Sequence, residues 1–308
     1  MAPERQDMDV RQLRYFLAVA DHEGFSRAAE HLLIAQPSLS QTIKSLEQEI
    51  GLPLFHRVGR RVVLSEAGKE LLGPARLVVR DLDAARSAMA ELKGVHRGRL
   101  EMAAMPSPAI EPLTTLISRY TQQHPQISVS TAAAFTVDEV VSSVRSGSSE
   151  IGLLGAEQPI AALGVDVVQL ERQPLVLIIN PLADHFGPGE TLQGCDLGGE
   201  SIIISQRGSL MRSVVDDLVA RGVDLRIVAE VAHRTSILPL VLAGVGHAIL
   251  PISWAPLARR SGLRVALLEP VTQLHVAIIS RQENLTPAAQ SFLRLAQEYS
   301  ETQSGQQL

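Results

Sequence analysis

The sequence has a single cysteine, Cys195, in 308 residues. No disulfide can form within the chain, and a zinc site built on a cysteine pair is excluded. A lone thiol is compatible with a reducing compartment and has no resolving partner for redox sensing. Aromatic residues make up only 3% of the chain, too few for a stacking platform on single-stranded nucleic acid. The opening residues, MAPERQDMDV, contain no apolar run. No secretory signal is read there, and a cytoplasmic protein is expected.

Catalytic signatures are missing as well. There is no Gly-x-Ser-x-Gly elbow and no phosphate-binding Walker sequence. Gly244-Val245-Gly246 begins like a dinucleotide fingerprint but lacks the third glycine and follows a predicted helix. The nine histidines are scattered, with no pair at helical ligand spacing, and His185 with Cys195 does not complete a metal site. No catalytic residue, no metal ligand and no enzyme activity are therefore assigned. Thr235–Ala258 is free of charged side chains, but Pro239, Gly244, Gly246, Pro251 and Pro256 interrupt it. It reads as a buried helix, a break and a buried strand rather than a membrane span.

A strong charge of either sign is also absent. Residues 1–97 hold 14 Lys and Arg against 13 Asp and Glu, and the excess of acid lies in the remainder, within a net charge of −5. Any nucleic-acid function must rest on local motifs rather than on bulk charge.

What the chain does have is 45% hydrophobic and 20% charged residues, ordinary for a globular protein, and a length that predicts two or three domains. Asp9 with Gln12 is a capping-box start for a first helix carrying Leu13, Phe16, Leu17 and Ala20 up to Gly24. Ser26 is the expected N-cap of a short second helix through Leu32, and residues 33–37 form the turn that follows. The third helix places Leu39, Ile43, Leu46 and Ile50 within roughly 60° of arc. Its other face carries Ser38, Gln41, Lys44, Ser45 and Gln48, with Gln36 at its start and Gly51 and Pro53 at its stop. Glutamine can bond bidentately to adenine and serine to several base edges in the major groove. A solvated polar face accounts for the same residues when the helix is taken alone. Residues 54–65 read as a hairpin turning at 58–60, with Arg57, Arg60 and Arg61 near its tip. Such arginines would hold phosphates and fix the helix's register.

Residues 66–93 are predicted as one long helix. Leu71, Ala75, Val78, Leu82, Ala85, Met89 and Leu92 repeat at +4 and +3, an unbroken heptad seam that predicts a homodimer. After the 94–98 joint, strand-like runs at 100–105, 127–133, 151–154, 165–170, 175–179, 201–204, 227–231, 248–250, 263–268 and 276–279 alternate with helices at about 109–123, 137–146, 210–221, 236–244 and 286–300. That alternation predicts α/β lobes with mostly parallel sheet, and the tail ETQSGQQL is expected to fray. Ser107, Thr136 (with Glu139), Ser205 with Ser209, and Thr235 with Ser236 each follow a predicted strand. Each is first of all an N-cap. Together, helix N-termini at strand C-terminal ends predict a crevice suited to a small anionic metabolite.

The run Arg11-Gln12-Leu13-Arg14-Tyr15-Phe16, then Gly24-Phe25-Ser26-Arg27-Ala28-Ala29, Ala35-Gln36-Pro37-Ser38-Leu39-Ser40, Ile43, Leu46-Glu47, Gly51, Leu54-Phe55, Arg57 and Leu64-Ser65-Glu66-Ala67-Gly68 resembles the LysR-type transcriptional regulators. The later chain agrees more loosely, at Gly98, Leu100, Pro125, Glu150-Ile151-Gly152-Leu153-Leu154, Ala243-Gly244-Val245-Gly246 and Pro251. The resemblance implies an α+β multidomain protein. Its parts would be a winged helix-turn-helix over 1–65, a linker and dimerisation helix over 66–93, and a two-lobed α/β, periplasmic-binding-protein-like (type II) effector domain over 94–308. Lobe I would span about 98–163 plus 269–302, and lobe II about 164–268. It further implies double-stranded DNA, a second copy of the chain (in tetramers as well as dimers), a small-molecule co-inducer between the lobes and RNA polymerase as partners, and no membrane.

The residues assigned to DNA are Ser26, Arg27, Gln36, Pro37, Ser38, Gln41, Thr42, Lys44, Ser45, Arg57, Arg60 and Arg61. Those assigned to the effector are Ser107, Thr136, Ser205 and Thr235. Ala35 stands where many members of the family carry serine, so the recognition helix must be capped otherwise. Gln41 stands where many carry arginine, which shifts base preference. Two other functions fit the α/β part alone, an extracytoplasmic solute binder and a small-acid lyase using the same cleft. The helix-turn-helix and heptad seam argue against the first, and the lack of an acid–base cluster against the second.

Overall fold

A computed structural model describes residues 8–59, 61–91, 98–161, 164–183, 186 and 191–306. The head opens with α1 (Val10–Asp21), α2 (Phe25–Leu32) and α3 (Gln36–Ile50). The Asp9 capping box forms: Gln12 N–H donates to Asp9 Oδ1 at 2.7 Å, and Asp9 N–H to Gln12 Oε1 at 2.8 Å. Ser26 is not the N-cap of α2; Gly24 occupies that position, and Ser26 is an exposed residue of the helix. Leu33, left-handed at φ 56°, ends α2 and turns the chain into α3. α3 starts at Ala35 with no side-chain cap; the Ala35 carbonyl instead accepts from the N–H groups of Ser38 and Leu39.

The hairpin is β1 (Phe55–Val58) and β2 (Arg61–Leu64), followed by α4 (Glu66–Glu91). Phe16, Val19, Leu39, Leu46, Leu54 and Ala75 close one core from four different segments. Each large apolar side chain sealed there contributes roughly 1.5–3 kcal/mol.

The first lobe begins with β3 (Gly98–Ala104), α5 (Pro106–Ile110), α6 (Leu113–Gln123), β4 (Ile127–Ala133), α7 (Val137–Arg145), β5 (Ile151–Ala156) and β6 (Asp166–Ile179). The second contains β7 (Thr191–Gln193), β8 (Ser201–Ser205), α8 (Leu210–Ala220), β9 (Arg226–Val231), α9 (Ile237–Leu242), β10 (His247–Pro251), α10 (Ala255–Arg260) and β11 (Arg264–Glu269). The chain returns to the first lobe as β12 (Gln273–Ser280) and α11 (Pro287–Gln306).

Two expected strands, at 165–170 and 175–179, are one continuous strand, β6. Its first part pairs with β12 up to Pro174; from Leu175 onward it pairs with β10 and β11. The division between lobes therefore falls inside β6, and residues 166–174 belong to the first lobe's sheet rather than to the second. The sheets are mixed rather than mostly parallel. β3 runs parallel to β4 and β5, and β8 to β9 and β10, but β6 and β12 are antiparallel to their neighbours. A strand shared by two lobes and a returning strand must run against the others, which strand/helix alternation does not reveal. α11 continues to Gln306 instead of fraying at about 300. Among the described residues no helix is long and apolar enough to cross a membrane.

Candidate nucleic-acid interface and interlobe cleft

α3 buries Leu39, Ile43 and Leu46 and turns its polar face outward. Pro37, Ser38, Gln41 and Lys44 are exposed, while Gln36, Thr42 and Ser45 are half-buried. Thr42 and Ser45 donate their hydroxyls to the carbonyls of Ser38 and Gln41, at 3.0 and 3.1 Å, and Gln36 Nε2 donates to Ser40 Oγ at 2.8 Å. The Gln41 side chain makes no hydrogen bond among the described residues, so it is free to reach base edges. Ser26 and Arg27 are exposed on α2, where Arg27 donates to the Glu23 carbonyl at 3.0 Å.

The hairpin is fixed to α3 by Glu47. Its Oε1 accepts from Leu54 N–H at 2.7 Å and Phe55 N–H at 3.3 Å. A carboxylate bonded to backbone N–H groups makes a charge-assisted anchor. Ser65 closes the other strand, donating to the Pro53 carbonyl at 2.5 Å and accepting from Gly68 N–H at 3.0 Å. A side chain at Gly68 would bring its Cβ to 2.2 Å from the Leu54 carbonyl oxygen, so the wing and α4 meet there at backbone distance. Arg57 and Arg61 are exposed on the hairpin; Arg60 lies outside the described residues. Glu47 was visible as a motif residue, but only the fold assigns it this anchoring role.

The heptad seam divides. Leu71 packs against the head core and Ala75 is buried within it, so these two are not available to a second copy. Val78 is 47% and Met89 57% exposed, Ala85 is exposed and Leu82 half-buried. Leu92 lies outside the described residues.

The cleft between the lobes encloses about 310 Å³, at the small end of ligand sites. Its first-lobe wall includes Ser107, Thr136, Asp138 and Glu157; its second-lobe wall includes Ser209 and Arg234. These residues follow β3, β4, β5, β8 and β9, where α/β sheets present ligand sites. Ser209 caps α8, accepting from Arg212 N–H at 3.2 Å. Thr136 caps α7, accepting from Glu139 N–H at 3.1 Å.

Of the four expected effector residues, Ser107 and Thr136 line the cleft. Ser205 and Thr235 do not. Ser205 is buried at the end of β8, its hydroxyl without a partner among the described residues, and Thr235 is exposed. Neither is the N-cap expected of it: Ser205 is the last residue of β8, and Thr235 lies inside the 3-10 turn Arg234–Ser236. Spacing from a strand does not reveal which way a side chain turns.

The residue that spacing missed is Arg234. Its Nη1 donates to Ser107 Oγ at 2.6 Å, across the cleft. Burial pushes its pKa down to about 10, so it remains a guanidinium at neutral pH. It has no carboxylate partner among the described residues. A buried cation without a counter-charge is costly unless something completes it. In sequence it looks like any solvated arginine.

Residues 10–69 match the family of the "Bacterial regulatory helix-turn-helix protein, lysR family", and residues 93–301 match the "LysR substrate binding domain". The HTH-type transcriptional regulator IlvR of Caulobacter vibrioides is 32% identical over 298 residues, covering 94% of this chain and 98% of that protein. The RuBisCO operon transcriptional regulator of Allochromatium vinosum is 30% identical over 290 residues, covering 92% and 94%. Among solved structures, full-length CbnR in complex with its target DNA is 25% identical with a TM-score of 0.69, covering 96% of this chain and 100% of that one. These related proteins are regulators, and the solute-binder reading falls with the helix-turn-helix match.

Proposed function

The chain belongs to the LysR family of bacterial helix-turn-helix regulators, and from that premise we propose which residues carry each part of its function. The protein is a ligand-responsive, DNA-binding transcriptional regulator. Gln36, Gln41 and Lys44 on α3 read the major groove, with Pro37, Ser38, Thr42 and Ser45 beside them. Arg57 and Arg61 on the wing and Ser26 and Arg27 on α2 hold phosphates. Val78, Leu82, Ala85 and Met89 pair with the same helix of a second copy, and dimers associate further into tetramers. RNA polymerase is the partner through which such a complex acts on transcription.

The effector is a small carboxylate-bearing metabolite in the interlobe cleft. The single observation carrying this reading is Arg234, a half-buried cation with no carboxylate partner among the described residues and aimed at Ser107. Asp138 and Glu157 stand on the first-lobe wall and repel an anion, which directs its carboxylate to Arg234 on the opposite side. Binding there must favour one lobe arrangement over another to change DNA binding.

The test is selection of fragmented source-genome DNA by the purified protein at near-physiological salt, with and without metabolite pools. Enrichment of a few dyad-symmetric sites, altered by an anionic fraction in the native protein but not in Arg234→Gln, is the expected result. The same response in both proteins overturns the Arg234 assignment.

A further inference from the structure

α7 has its two ends at two different places. Its first turn, with Thr136, Val137 and Asp138, lines the interlobe cleft. The loop after its last turn, 146–148, rests on the linker helix α4. There Arg76 Nη1 donates to Ser148 Oγ at 2.6 Å, while its Nη2 donates to Asp21 Oδ1 of α1 at 2.5 Å. Arg80 donates to the Gly147 carbonyl, to the Ser148 carbonyl at 2.8 Å and to the Glu101 carboxylate. Its side chain is only 16% exposed. Gly147 is left-handed, φ +72°, and a Cβ there would come within 2.9 Å of the Leu77 side chain. The seat is therefore tight against α4 at a position that favours glycine.

Between these ends α7 is short and stiff. Its nine residues span about 13 Å, and Val140, Val141 and Val144 are buried. A Cβ on Gly152 of β5 would come within 2.4 Å of Val140, so helix and sheet are in close contact. The output end, by contrast, has space around it. Open grooves of about 530 and 740 Å³, both lined by Arg76 and Ser148, flank the contact, and the larger one runs along α7 as far as Asp138. Asp81 adds a second tie, accepting from Arg281 and Asn284 at 3.2 Å each.

We propose that α7 is the relay from the cleft to the DNA-reading head, with Arg76 and Arg80 as positioning residues at its output end. The proposal rests on the cleft being the effector site. Displacement of the first turn moves a packed helix as a body, the 146–148 loop carries it to α4, and Arg76 passes it to Asp21 on α1. Such coupling needs an element whose arrangement both ends bias.

Hydrogen–deuterium exchange on the full chain tests the relay without a ligand, so its failure is distinct from failure of the anion reading. Thr136→Ala removes the cap at the cleft end and should speed exchange in α7 by about five-fold, the usual effect of losing a cap. Exchange at residues 76–84 of α4 should rise with it. In an Arg76→Ala, Arg80→Ala background the same cap change should leave α4 unaltered. Val140→Ala, which loosens the middle of α7, serves as the second input. If α7 loosens while α4 stays unchanged, or if α4 responds equally without the arginines, the proposal is overturned. It is overturned too if neither input change loosens α7.

Discussion

Arg234 of the second lobe donates to Ser107 Oγ of the first at 2.6 Å, bridging the two walls of the cleft. Ser107 is 1% exposed, and a neutral hydroxyl does not offset a buried positive charge. The bridge joins the two walls while leaving the guanidinium without a carboxylate partner among the described residues.

Replacing that cation should therefore stabilise the empty protein. The folded pKa of about 10 lies below the ordinary arginine value, so folding disfavours the charged form. The cost is fully present at every pH below 10 and fades as pH rises above it toward the ordinary arginine range. Arg234→Met is expected to stabilise the protein at pH 7 by about 1 kcal/mol or more, read as a raised urea midpoint, while abolishing the response to anionic metabolites. A lowered midpoint would make Arg234 a structural strut instead.

Glu47 should matter to the wing more than to the dimer. Hydrogen bonds to a charged group contribute about 1.5–3 kcal/mol, and Glu47 accepts two. Glu47→Ala should lower the melting temperature of the head and weaken DNA binding with the sedimentation coefficient unchanged. Glu47→Gln, which keeps an acceptor, should retain part of both.

The wing arginines should appear in salt dependence rather than in base preference. Each phosphate contact contributes about 0.9 to the slope of log K against log salt. Arg57→Ala and Arg61→Ala should each reduce the slope by about that amount on every DNA sequence. Gln41→Ala should instead relax preference at one base pair and leave the slope intact. An unchanged slope in both arginine variants would remove the wing from the interface.

The two parts of the heptad seam should respond differently. Met89 is 57% exposed and Ala75 is fully buried in the head. Met89→Asp combined with Val78→Asp should give a folded monomer by analytical ultracentrifugation. Ala75→Asp should unfold the head, because an unpaired charge cannot be buried there. A dimer that survives the first pair of changes would place the interface elsewhere.

Local pattern was enough for the head. The capping box at Asp9 and Gln12, the spacing of Leu39, Ile43, Leu46 and Ile50, and the arginine-tipped hairpin depend on residues close in sequence, so periodicity and turn chemistry specify them. The same reasoning located most of the effector domain's elements and the strand ends around its cleft, but not β7 or α10.

Relationships between distant segments were decided only by the tertiary structure. The heptad repeat at Leu71 and Ala75 looks continuous with Met89, yet the first two close the head's own core. Ser205 and Thr235 follow strands as Ser107 and Thr136 do, yet only the latter pair faces the cleft. β6 had to be drawn through two sheets before the lobes could be divided. Arg234 became a candidate anchor only once Ser107, 127 residues away in sequence, was brought to its guanidinium. The physical reason is common to all four: sequence spacing fixes an element and its faces, whereas burial and counter-charge depend on what the rest of the chain packs against them.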